Sequence, residues 1–453
     1  MSERTIAAVA TPLGEGGIGV IRISGDEAIA VADRCFRAFS GGKLTSLSGY
    51  SAAYGEVFDQ NGPLDDGVAL VFRAPKSYTG EDVVEISVHG GRVMVSRVLR
   101  AVFAAGAYPA DRGEFTKRAF LNGKMDLTKA ESICELINAK NDAALRISKN
   151  ARGGRISIEA DKIIAALTET AASLSVYSDY PDADIKGLDP ENFTRMLDNC
   201  RRGLSHLAST YDTGKLVREG IDCAIVGRPN VGKSTLMNLL CGSERSIVTD
   251  VAGTTRDVIE TTVTVGDITL NLSDTAGIHE TGDTVEKVGV QRALDRLEGS
   301  GLILAVFDGA QAMNDDDRAL IERLKGRKAI IIINKSDLER KLSDDDFGDF
   351  PKVLISAKKG DGIEQLTKII GELTNTANLD PDDAVLISER QLSCVSRALD
   401  AVNEAVNALE CGVTLDAVGV CVDDALSALL ELTGKRVTNE VTDEVFRKFC
   451  VGK

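Results

Sequence analysis

The sequence lacks several features that would place the chain outside a reducing compartment. No apolar run approaches the length of about 20 residues that a membrane-spanning helix requires. The N-terminus, M-S-E-R-T-I-A-A-V-A-T-P, lacks the charged, apolar and cleavage regions of a signal peptide. The nine cysteines are scattered and include no C-x-x-C pair, which argues against a disulfide framework or a zinc site. We therefore expect a cytoplasmic protein.

Histidine is also scarce, and acidic residues outnumber basic residues by 69 to 53. Three histidines, at positions 89, 206 and 279, are too few and too separated to predict a metal cluster. The formal net charge of −16 disfavours nucleic-acid binding by the surface as a whole. The segment 146–155, R-I-S-K-N-A-R-G-G-R, is an exception, because it has four positive charges and no negative charge. This pattern is equally consistent with a solvated helix face and with a phosphate contact.

What the sequence does contain is a phosphate-binding motif. Residues 227–235 read G-R-P-N-V-G-K-S-T, between an apolar run at 221–226 and a helical pattern at 236–241. In this strand–loop–helix context, backbone N–H groups of the loop and of the helix N-terminus hold a β-phosphate. Lys233 is expected to reach the β- and γ-phosphates, and the Ser234 hydroxyl is expected to bind Mg²⁺. A simple glycine turn would require neither side chain.

Three further motifs indicate which nucleotide binds. In chain order they are Asp274-Thr275-Ala276-Gly277, Asn334-Lys335-Ser336-Asp337 and Ser356-Ala357-Lys358. The Asp337 carboxylate can accept two hydrogen bonds from guanine, whereas adenine has no matching pair of donors. Backbone N–H groups of the third motif are expected to contact the guanine carbonyl. Asp274 is expected to hold Mg²⁺ through water, and the Gly277 N–H to meet the γ-phosphate. The order and spacing of these motifs predict a GTP-binding domain.

The residues that usually assist hydrolysis are missing from this domain. Ile278 follows the D-x-x-G motif where other GTPases have a glutamine that orients the attacking water. No arginine finger is evident either. Asn230 and the loop 249–257, T-D-V-A-G-T-T-R-D, offer carbonyl oxygens that could enclose a monovalent cation, and Thr255 offers a second hydroxyl to Mg²⁺. The alternative is that Asn230 only caps the turn.

The hydrophobic patterns predict α/β parts combined with all-α parts. Strands are predicted at 5–10, 19–23, 69–72, 83–88, 222–226, 258–265, 268–273, 302–308, 329–333 and 353–355. Helical spacing covers 92–105, 128–164 with a break at Gly153-Gly154, 165–177, 193–211, 389–409, 415–432 and 440–449. We expect an α/β domain at 1–122, a helical domain at 123–218 and 377–453, and a G domain at 219–376. The last is a mostly parallel α/β unit inserted into the helical domain.

Longer motifs than these identify a family. They are A-T-P-x-G-x-G-G-I-G-x-x-R-I-S-G near the start, S-Y-T-G-E-D, R-G-E-F-T-K-R-A-F-L-N-G-K-M-D-L, G-R-P-N-V-G-K-S-T, G-T-T-R-D and the terminal F-C-V-G-K. With them the chain resembles the MnmE (also called TrmE) tRNA-modification GTPases over essentially its full length. The tail departs only at Val451, where the family commonly has isoleucine. The resemblance implies an N-terminal folate-binding domain and a helical domain with an inserted Ras-like P-loop G domain.

The resemblance also implies roles for individual residues. The folate-binding positions correspond to Arg22, Glu81, Lys124 and the terminal Lys453. The potassium-binding positions correspond to Asn230, Thr249, Val251 and Thr254, and the Mg²⁺ positions to Ser234 and Thr255. The remaining nucleotide contacts correspond to Val231, Gly232, Lys233, Thr235, the D-T-A-G motif and the two guanine motifs. Glu286 matches the family's water-orienting glutamate, and Cys450 its C-terminal cysteine, which is either catalytic or a redundant tail cysteine.

The family reaction joins GTP hydrolysis to tRNA chemistry. The resemblance implies a homodimer whose G domains meet with potassium bound. It also implies a heterotetramer with the flavoprotein MnmG (GidA), which uses FAD and NADH. The complex modifies carbon 5 of the wobble uridine to a carboxymethylaminomethyl group, with a one-carbon unit from 5-formyl- or 5,10-methylene-tetrahydrofolate. We expect weak tRNA binding by this chain alone. The alternatives are a potassium-activated GTPase of ribosome assembly or ion transport, and a folate-binding scaffold with a vestigial GTPase.

Overall fold

The computed structural model describes most of the chain. The described residues are 4–12, 14–179, 190–242, 260–266, 268–273, 301–374, 376, 380 and 382–453. The chain divides into two compact units, and each is described by itself. The first unit comprises Met1–Cys134, Ala160–Pro190 and Asp400–Lys453, and the second comprises Glu135–Glu159 and Glu191–Leu399. Among the described helices, none combines the length and the apolar character needed to cross a membrane.

The first unit contains a seven-stranded sheet. Its strands are β1 (Ile6–Val9), β2 (Ile18–Ser24), β3 (Phe36–Ala38), β4 (Ser51–Asp59), β5 (Gly62–Phe72), β6 (Val83–His89) and β7 (Tyr108–Pro109). The helices among them are α1 (Ala28–Cys35), α2 (Arg92–Ala104) and α3 (Glu114–Leu121). The strand order is β3-β4-β5-β6-β2-β1-β7, and all neighbours are antiparallel except the parallel pair β1 and β7.

One face of this sheet is covered by α1 and α2. Ile21 and Ile23 on β2 are fully buried and share an apolar core with Ala28 of α1 and Val98 of α2. Because side chains alternate along a strand, Arg22 points to the opposite face of the sheet. The hydrophobic pattern of β2 therefore also determines where this arginine is presented.

A series of helices follows the first sheet. It consists of α4 (Leu127–Asn138), α5 (Asp142–Arg152), α6 (Arg155–Asp179) and α7 (Pro190–Glu219). The predicted break at Gly153-Gly154 is confirmed, and Gly154 has a left-handed backbone with φ of +88°. A further break at 139–141 differs from the predicted continuous pattern. Asn141 causes it, because its side chain accepts a hydrogen bond from the Ala144 N–H at 2.7 Å and so starts a new helix.

The second unit contains a six-stranded sheet. Its strands are β8 (Ile221–Val226), β9 (Glu260–Val265), β10 (Ile268–Ser273), β11 (Leu302–Asp308), β12 (Ala329–Asn334) and β13 (Lys352–Ile355). Described helices connected to it are α8 (Lys233–Gly242), α9 (Asp315–Leu324) and α10 (Ile363–Leu373). The order is β13-β12-β11-β8-β10-β9, and only β9 and β10 are antiparallel. The predicted mostly parallel sheet is confirmed.

Burial on both faces explains the continuous apolar strands of this sheet. Every residue of β11 and β12 is buried. Leu304 belongs to the core on one face, and Ala305 to the core on the other. The carboxyl ends of β8, β11, β12 and β13 lie at the same edge, since these strands are parallel. Ligands of open α/β sheets bind at such an edge.

The C-terminal region is helical, as predicted. Its helices are α11 (Glu389–Glu410), α12 (Leu415–Thr433) and α13 (Asn439–Arg447). Thr438 caps α13 by accepting a hydrogen bond from the Val441 N–H at 3.4 Å. The predicted combination of an N-terminal α/β part, helical segments and a mostly parallel sheet between them is confirmed. The domain boundaries themselves stay a prediction.

Candidate functional site

The loop between β8 and α8 has a backbone that only particular residues can adopt. Gly227 has a φ of +149°, and a Cβ there would lie 2.3 Å from the Val306 carbonyl oxygen. Gly232 has a φ of +100°, and a Cβ there would lie 2.2 Å from Asn334 Nδ2. Asn230 lies in the left-handed region at a φ of +63°, which asparagine tolerates better than most residues. The two glycines let the loop approach its neighbouring strands closely.

Lys233, the first residue of α8, directs its side chain back along this loop. Its Nζ donates hydrogen bonds to the carbonyl oxygens of Gly227 and Arg228, each at 2.7 Å. Burial lowers the pKa of Lys233. Within the described part of the chain no carboxylate forms an ion pair with it, so its charge is not compensated there. Ser234 and Thr235 follow as exposed residues in the first turn of α8. A cation and two hydroxyls at a helix N-terminus suit a polyphosphate with its Mg²⁺.

Asn334 connects the phosphate-binding motif at 227–235 to the guanine motif Ser356-Ala357-Lys358. This last residue of β12 is 3% exposed. Its Nδ2 donates to the Val231 carbonyl oxygen at 2.8 Å, and its Oδ1 accepts from the Ala357 N–H at 3.0 Å. The parallel sheet makes this possible, because β8, β12 and β13 end at one edge. The structure thus brings together motifs that are more than 100 residues apart in the chain.

Asp337 and Ser356 form the second link of this site. The Ser356 hydroxyl donates to Asp337 Oδ1 at 2.7 Å. This hydrogen bond, followed by Asp337's own backbone N–H and the nearby cations of Lys359 and Lys358, lowers the pKa of Asp337. The carboxylate is exposed and charged at neutral pH. It is therefore available to accept hydrogen bonds from a ligand.

Sequence reasoning misses Asp308, the last residue of β11. Its Oδ2 lies 2.7 Å from Lys335 Nζ, and its Oδ1 accepts from the Ala310 N–H at 3.0 Å. The ion pair holds Lys335, whose own backbone is left-handed at a φ of +64°. A signal was present in the sequence, since a carboxylate ends the apolar strand beside β12 and adjacent parallel strands end at a shared edge.

Several predicted nucleotide and cation residues lie outside the described residues. They are Thr249, Val251, Thr254, Thr255, Asp274, Thr275, Ala276, Gly277 and Glu286. Of the predicted set, the structure places Asn230, Val231, Gly232, Lys233, Ser234, Thr235, Asn334, Lys335, Asp337, Ser356, Ala357 and Lys358 at the same sheet edge.

A second group of predicted residues lies in the first unit, around Arg22. The Arg22 Nε and Nη2 both lie 2.8 Å from Glu85 Oε1, directly across the β2–β6 pair. Its Nη1 donates to the Gly452 carbonyl oxygen at 3.3 Å. The guanidinium carbon lies 5.2 Å from the centre of the Tyr78 ring and 5.6 Å from that of Phe115. Arg22 is therefore held between a carboxylate, two aromatic rings and the C-terminal tail.

Glu81 and Lys124 lie in loops beside this arginine's strand. Glu81 Oε2 accepts a hydrogen bond from the Ser24 hydroxyl at 2.6 Å, and Ser24 belongs to β2. Arg118 Nη1 lies 3.1 and 3.2 Å from the two oxygens of the Glu81 carboxylate. Lys124 Nζ donates to the Pro75 carbonyl oxygen at 2.8 Å. Within the described residues Arg22 makes no hydrogen bond to Glu81 or Lys124, so the structure places these side chains in one region without direct bonds between them.

The C-terminal tail is docked against the first sheet. Val451 forms an antiparallel backbone bridge with Arg112. Gly452 has a φ of +94°, and a Cβ there would lie 2.2 Å from the Val9 carbonyl oxygen. Cys450 is exposed beside this bridge. Gly452 contacts Arg22, and Cys450 and Lys453 lie two positions before and one position after it in the chain. Sequence reasoning misses the supporting residues Glu85 and Arg118, whose partners are distant in the chain.

Two family models match the chain. The model described as MnmE helical domain matches residues 127–450, which is more than half of the chain. The model described as GTP-binding protein TrmE N-terminus matches residues 5–124. Together they cover both sheets and the described helices from α1 to α13.

Known proteins are similar to the chain over its whole length. The tRNA modification GTPase MnmE of Bacillus licheniformis is 40% identical over 457 residues, with 99% of this chain and 100% of the relative covered. That of Geobacter sulfurreducens is 39% identical over 456 residues, with 100% and 99% covered. A crystal structure of the G domain of the T. maritima FeoB iron transporter is 26% identical over 34% of this chain and 98% of its own, with a TM-score of 0.26. On the family models and the full-length relatives, this chain belongs to the MnmE family of tRNA modification GTPases, also called TrmE.

Proposed function

We propose that the chain is a potassium-dependent GTPase whose nucleotide pocket lies at the carboxyl edge of the second sheet. The observation that supports this most directly is the Asn334 bridge, which holds the phosphate loop and the guanine motifs in one arrangement. Lys233 supplies a charge for the β- and γ-phosphates. Asp337 supplies a charged acceptor for the guanine N1–H and amino groups.

The proposed cation sites rest on the oxygen donors that the loop presents. Ser234 offers an exposed hydroxyl at the start of α8, and a hydroxyl oxygen is a ligand that Mg²⁺ accepts. Asn230 offers an exposed amide oxygen in the phosphate loop. Potassium, when bound beside Asn230, would supply the positive charge that an arginine finger supplies elsewhere. The partners proposed for these cations, namely Thr249, Val251, Thr254 and Thr255, rest on the oxygen donors of the loop 249–257 and on the family resemblance, whereas water orientation by Glu286 rests on the resemblance alone.

We further propose that the region around Arg22 binds a tetrahydrofolate derivative. Arg22, Glu81 and Lys124 offer charged groups, and Tyr78 and Phe115 offer rings against which a pterin can pack. The docked tail places the exposed Cys450 thiol and Lys453 beside this region. A thiolate at Cys450 is a nucleophile for one-carbon chemistry.

Together these sites support a role in tRNA modification in the cytoplasm. We propose that a homodimer of the chain works with the flavoprotein MnmG (GidA), which holds FAD and uses NADH. The complex installs carboxymethylaminomethyl groups at carbon 5 of the wobble uridine. The folate supplies a one-carbon unit of that group. The curated relatives named above are tRNA modification GTPases, and that shared name supports the tRNA assignment.

The test compares GTP turnover of the full chain in potassium and in sodium. We expect a several-fold loss of turnover in sodium, and loss of the potassium effect in Asn230→Ala. Equal rates in both salts would contradict the potassium mechanism.

A deletion strain tests the tRNA assignment separately. We expect its tRNA to lack the wobble-uridine modification. Normal wobble uridine, together with co-sedimentation of the protein with ribosomal subunits, would favour a GTPase of ribosome assembly instead.

A further inference from the structure

The proposed sites leave unused an exposed row of cations in the second unit. We call Arg146, Lys149, Arg152 and Arg155 the basic stripe, and all four residues are exposed. The first three recur every third residue on the exposed face of α5, whose opposite face is buried through residues such as Ile147. No acidic residue lies between positions 146 and 155. The stripe is therefore a local concentration of positive charge in a chain of net charge −16. A carboxylate does lie against its segment, since Asp382 accepts a hydrogen bond from Asn150 Nδ2 at 3.0 Å.

Among the described residues, counter-ions do not account for three of the four cations of the stripe. Lys149, Arg152 and Arg155 form no ion pair with any carboxylate in the part of the chain that the structure describes. Some exposed cations elsewhere in the same unit have carboxylate partners, as Lys325 does with Glu322 at 2.7 Å and Arg318 with Asp315 at 3.6 Å, whereas others, such as Arg323 and Lys341, form no ion pair among the described residues. What distinguishes the stripe is that three such cations lie within seven residues of the chain, in a sequence where acidic residues outnumber basic ones by 69 to 53.

Helix stability explains only part of the stripe. Lys149 and Arg152 lie in the last turn of α5, where the helix dipole favours a positive charge. Arg146 lies nearer the middle of that helix. Arg155 is the first residue of α6, where the dipole disfavours a positive charge. A ligand of opposite charge accounts for the whole row, whereas the helix dipole does not.

The chemistry of the stripe favours phosphates over a protein partner. Protein interfaces are enriched in aromatic residues and arginine and depleted of lysine; the stripe has three arginines, but the segment 142–158 contains no aromatic residue to form the apolar centre of such an interface. Four long cationic side chains on one exposed surface are suited to successive phosphates.

We propose that the basic stripe binds the ribose-phosphate backbone of tRNA. The inference rests on the proposed function, which makes tRNA the substrate, and it adds the surface of this chain that contacts the RNA. Phosphate contacts through this stripe carry no sequence information, and they position the tRNA rather than select it. A stripe of only four cations agrees with weak tRNA binding by the chain alone.

The experiment measures binding of a tRNA transcript with an unmodified wobble uridine to the full-length chain at several salt concentrations. The test variant is K149Q/R152Q/R155Q. The matched control is R318Q/K325Q/K368Q, which removes the same charge from exposed cations that pair with neighbouring acids. We expect the test variant to lower the slope of log affinity against log salt by about 2 to 3, and to weaken binding about 10-fold or more at fixed salt. We expect the control to change affinity less than about 2-fold.

Other outcomes would overturn the proposal. Unchanged salt dependence in the test variant, or an equal loss in the control, would show that the stripe is not an RNA site. Loss of flavoprotein binding with RNA binding intact would assign the stripe to a protein interface instead. Thermal unfolding and GTP turnover in potassium serve as folding controls, and both should match wild type. If the deletion strain keeps its wobble modification while the stripe variant loses RNA binding, the proposed function fails and the stripe stands.

Discussion

At the scale of single residues, the proposed guanine selection depends on the charge of one carboxylate, that of Asp337. The hydrogen bond from Ser356 lowers the pKa of Asp337, so the carboxylate stays ionised to a lower pH than an ordinary aspartate does. Its contribution to ligand binding is present at neutral pH and is lost only when pH falls through this lowered pKa. The charge that guanine requires is therefore constant at physiological pH.

Asp337→Asn is predicted to change which base binds. The amide loses the charged acceptor for two guanine donors, and hydrogen bonds to charged groups contribute about 1.5–3 kcal/mol each. We expect GTP affinity to fall about 100-fold or more. We also expect xanthosine triphosphate to bind better than GTP, because xanthine has a carbonyl where guanine has its amino group. Titration with fluorescent nucleotides measures both affinities.

Asp316→Asn is the matched control for this substitution. Asp316 is an exposed aspartate in the first turn of α9, and the same atoms change there. Its nucleotide affinities should equal those of wild type. If Asp337→Asn kept its preference for GTP over the xanthine nucleotide, the assignment of Asp337 to base recognition would be wrong.

At the scale of elements, the conformation of the phosphate-binding loop between β8 and α8 depends on its close approach to Asn334 at the end of β12. Gly232→Ala is predicted to abolish nucleotide binding, because its Cβ would lie 2.2 Å from Asn334 Nδ2 on a backbone with a φ of +100°. The left-handed backbone alone costs a non-glycine residue about 1–2 kcal/mol. Gly242→Ala, at the end of the same helix, is the control, since its Cβ would meet no atom of the described residues within 4 Å. Nucleotide titration of the two variants should show a loss of about 100-fold or more in the first and none in the second.

The docked C-terminal tail of the first unit also depends on a glycine with a positive φ that packs closely against a neighbouring strand. Gly452→Ala is predicted to displace the tail, because its Cβ would lie 2.2 Å from the Val9 carbonyl oxygen. We expect binding of 5-formyl-tetrahydrofolate to weaken about 10-fold or more in calorimetric titration, with GTP turnover unchanged. Gly419→Ala in α12 is the control, since its Cβ would meet nothing within 4 Å. Unchanged folate binding in Gly452→Ala would remove the tail from the proposed folate site.

Strands and helices with a strong local hydrophobic pattern were predictable from the sequence. Strand segments that exist only because they pair with a neighbouring strand were not. The run before Gly227 predicted β8, and the helical pattern at 236–241 predicted most of α8, which begins three residues earlier at Lys233. Of β5, which spans Gly62–Phe72, only 69–72 was predicted, because its first half contains turn residues and is held as a strand by pairing with β4. Side-chain partners of the site residues that lie far away in the chain were likewise not predictable from the sequence. Glu85 and Arg118 become partners of Arg22 and Glu81 only through strand register and tertiary packing.

At the scale of the whole molecule, the two proposed ligand sites lie in different units. The described nucleotide residues belong to the second unit, whereas Arg22, Glu81, Lys124 and the tail belong to the first. The sequence already predicted the nucleotide residues within one domain, 219–376, and the folate residues outside it, but it could not show that the first unit is assembled from three separate stretches of chain. We therefore expect each proposed ligand to stabilise the unit that contains its own site.

This division predicts selective stabilisation in scanning calorimetry of the full chain. A ligand at 100 times its dissociation constant stabilises the folded state by about 2.7 kcal/mol, which raises the midpoint of a unit of this size by about 5–11 °C. We expect GDP to raise the transition of the second unit, and 5-formyl-tetrahydrofolate to raise that of the first. ATP should raise neither, and Gly232→Ala should remove the GDP effect while keeping the folate effect. A single transition that both ligands shift equally would mean that the units unfold together, and the two sites would then be thermodynamically coupled rather than independent.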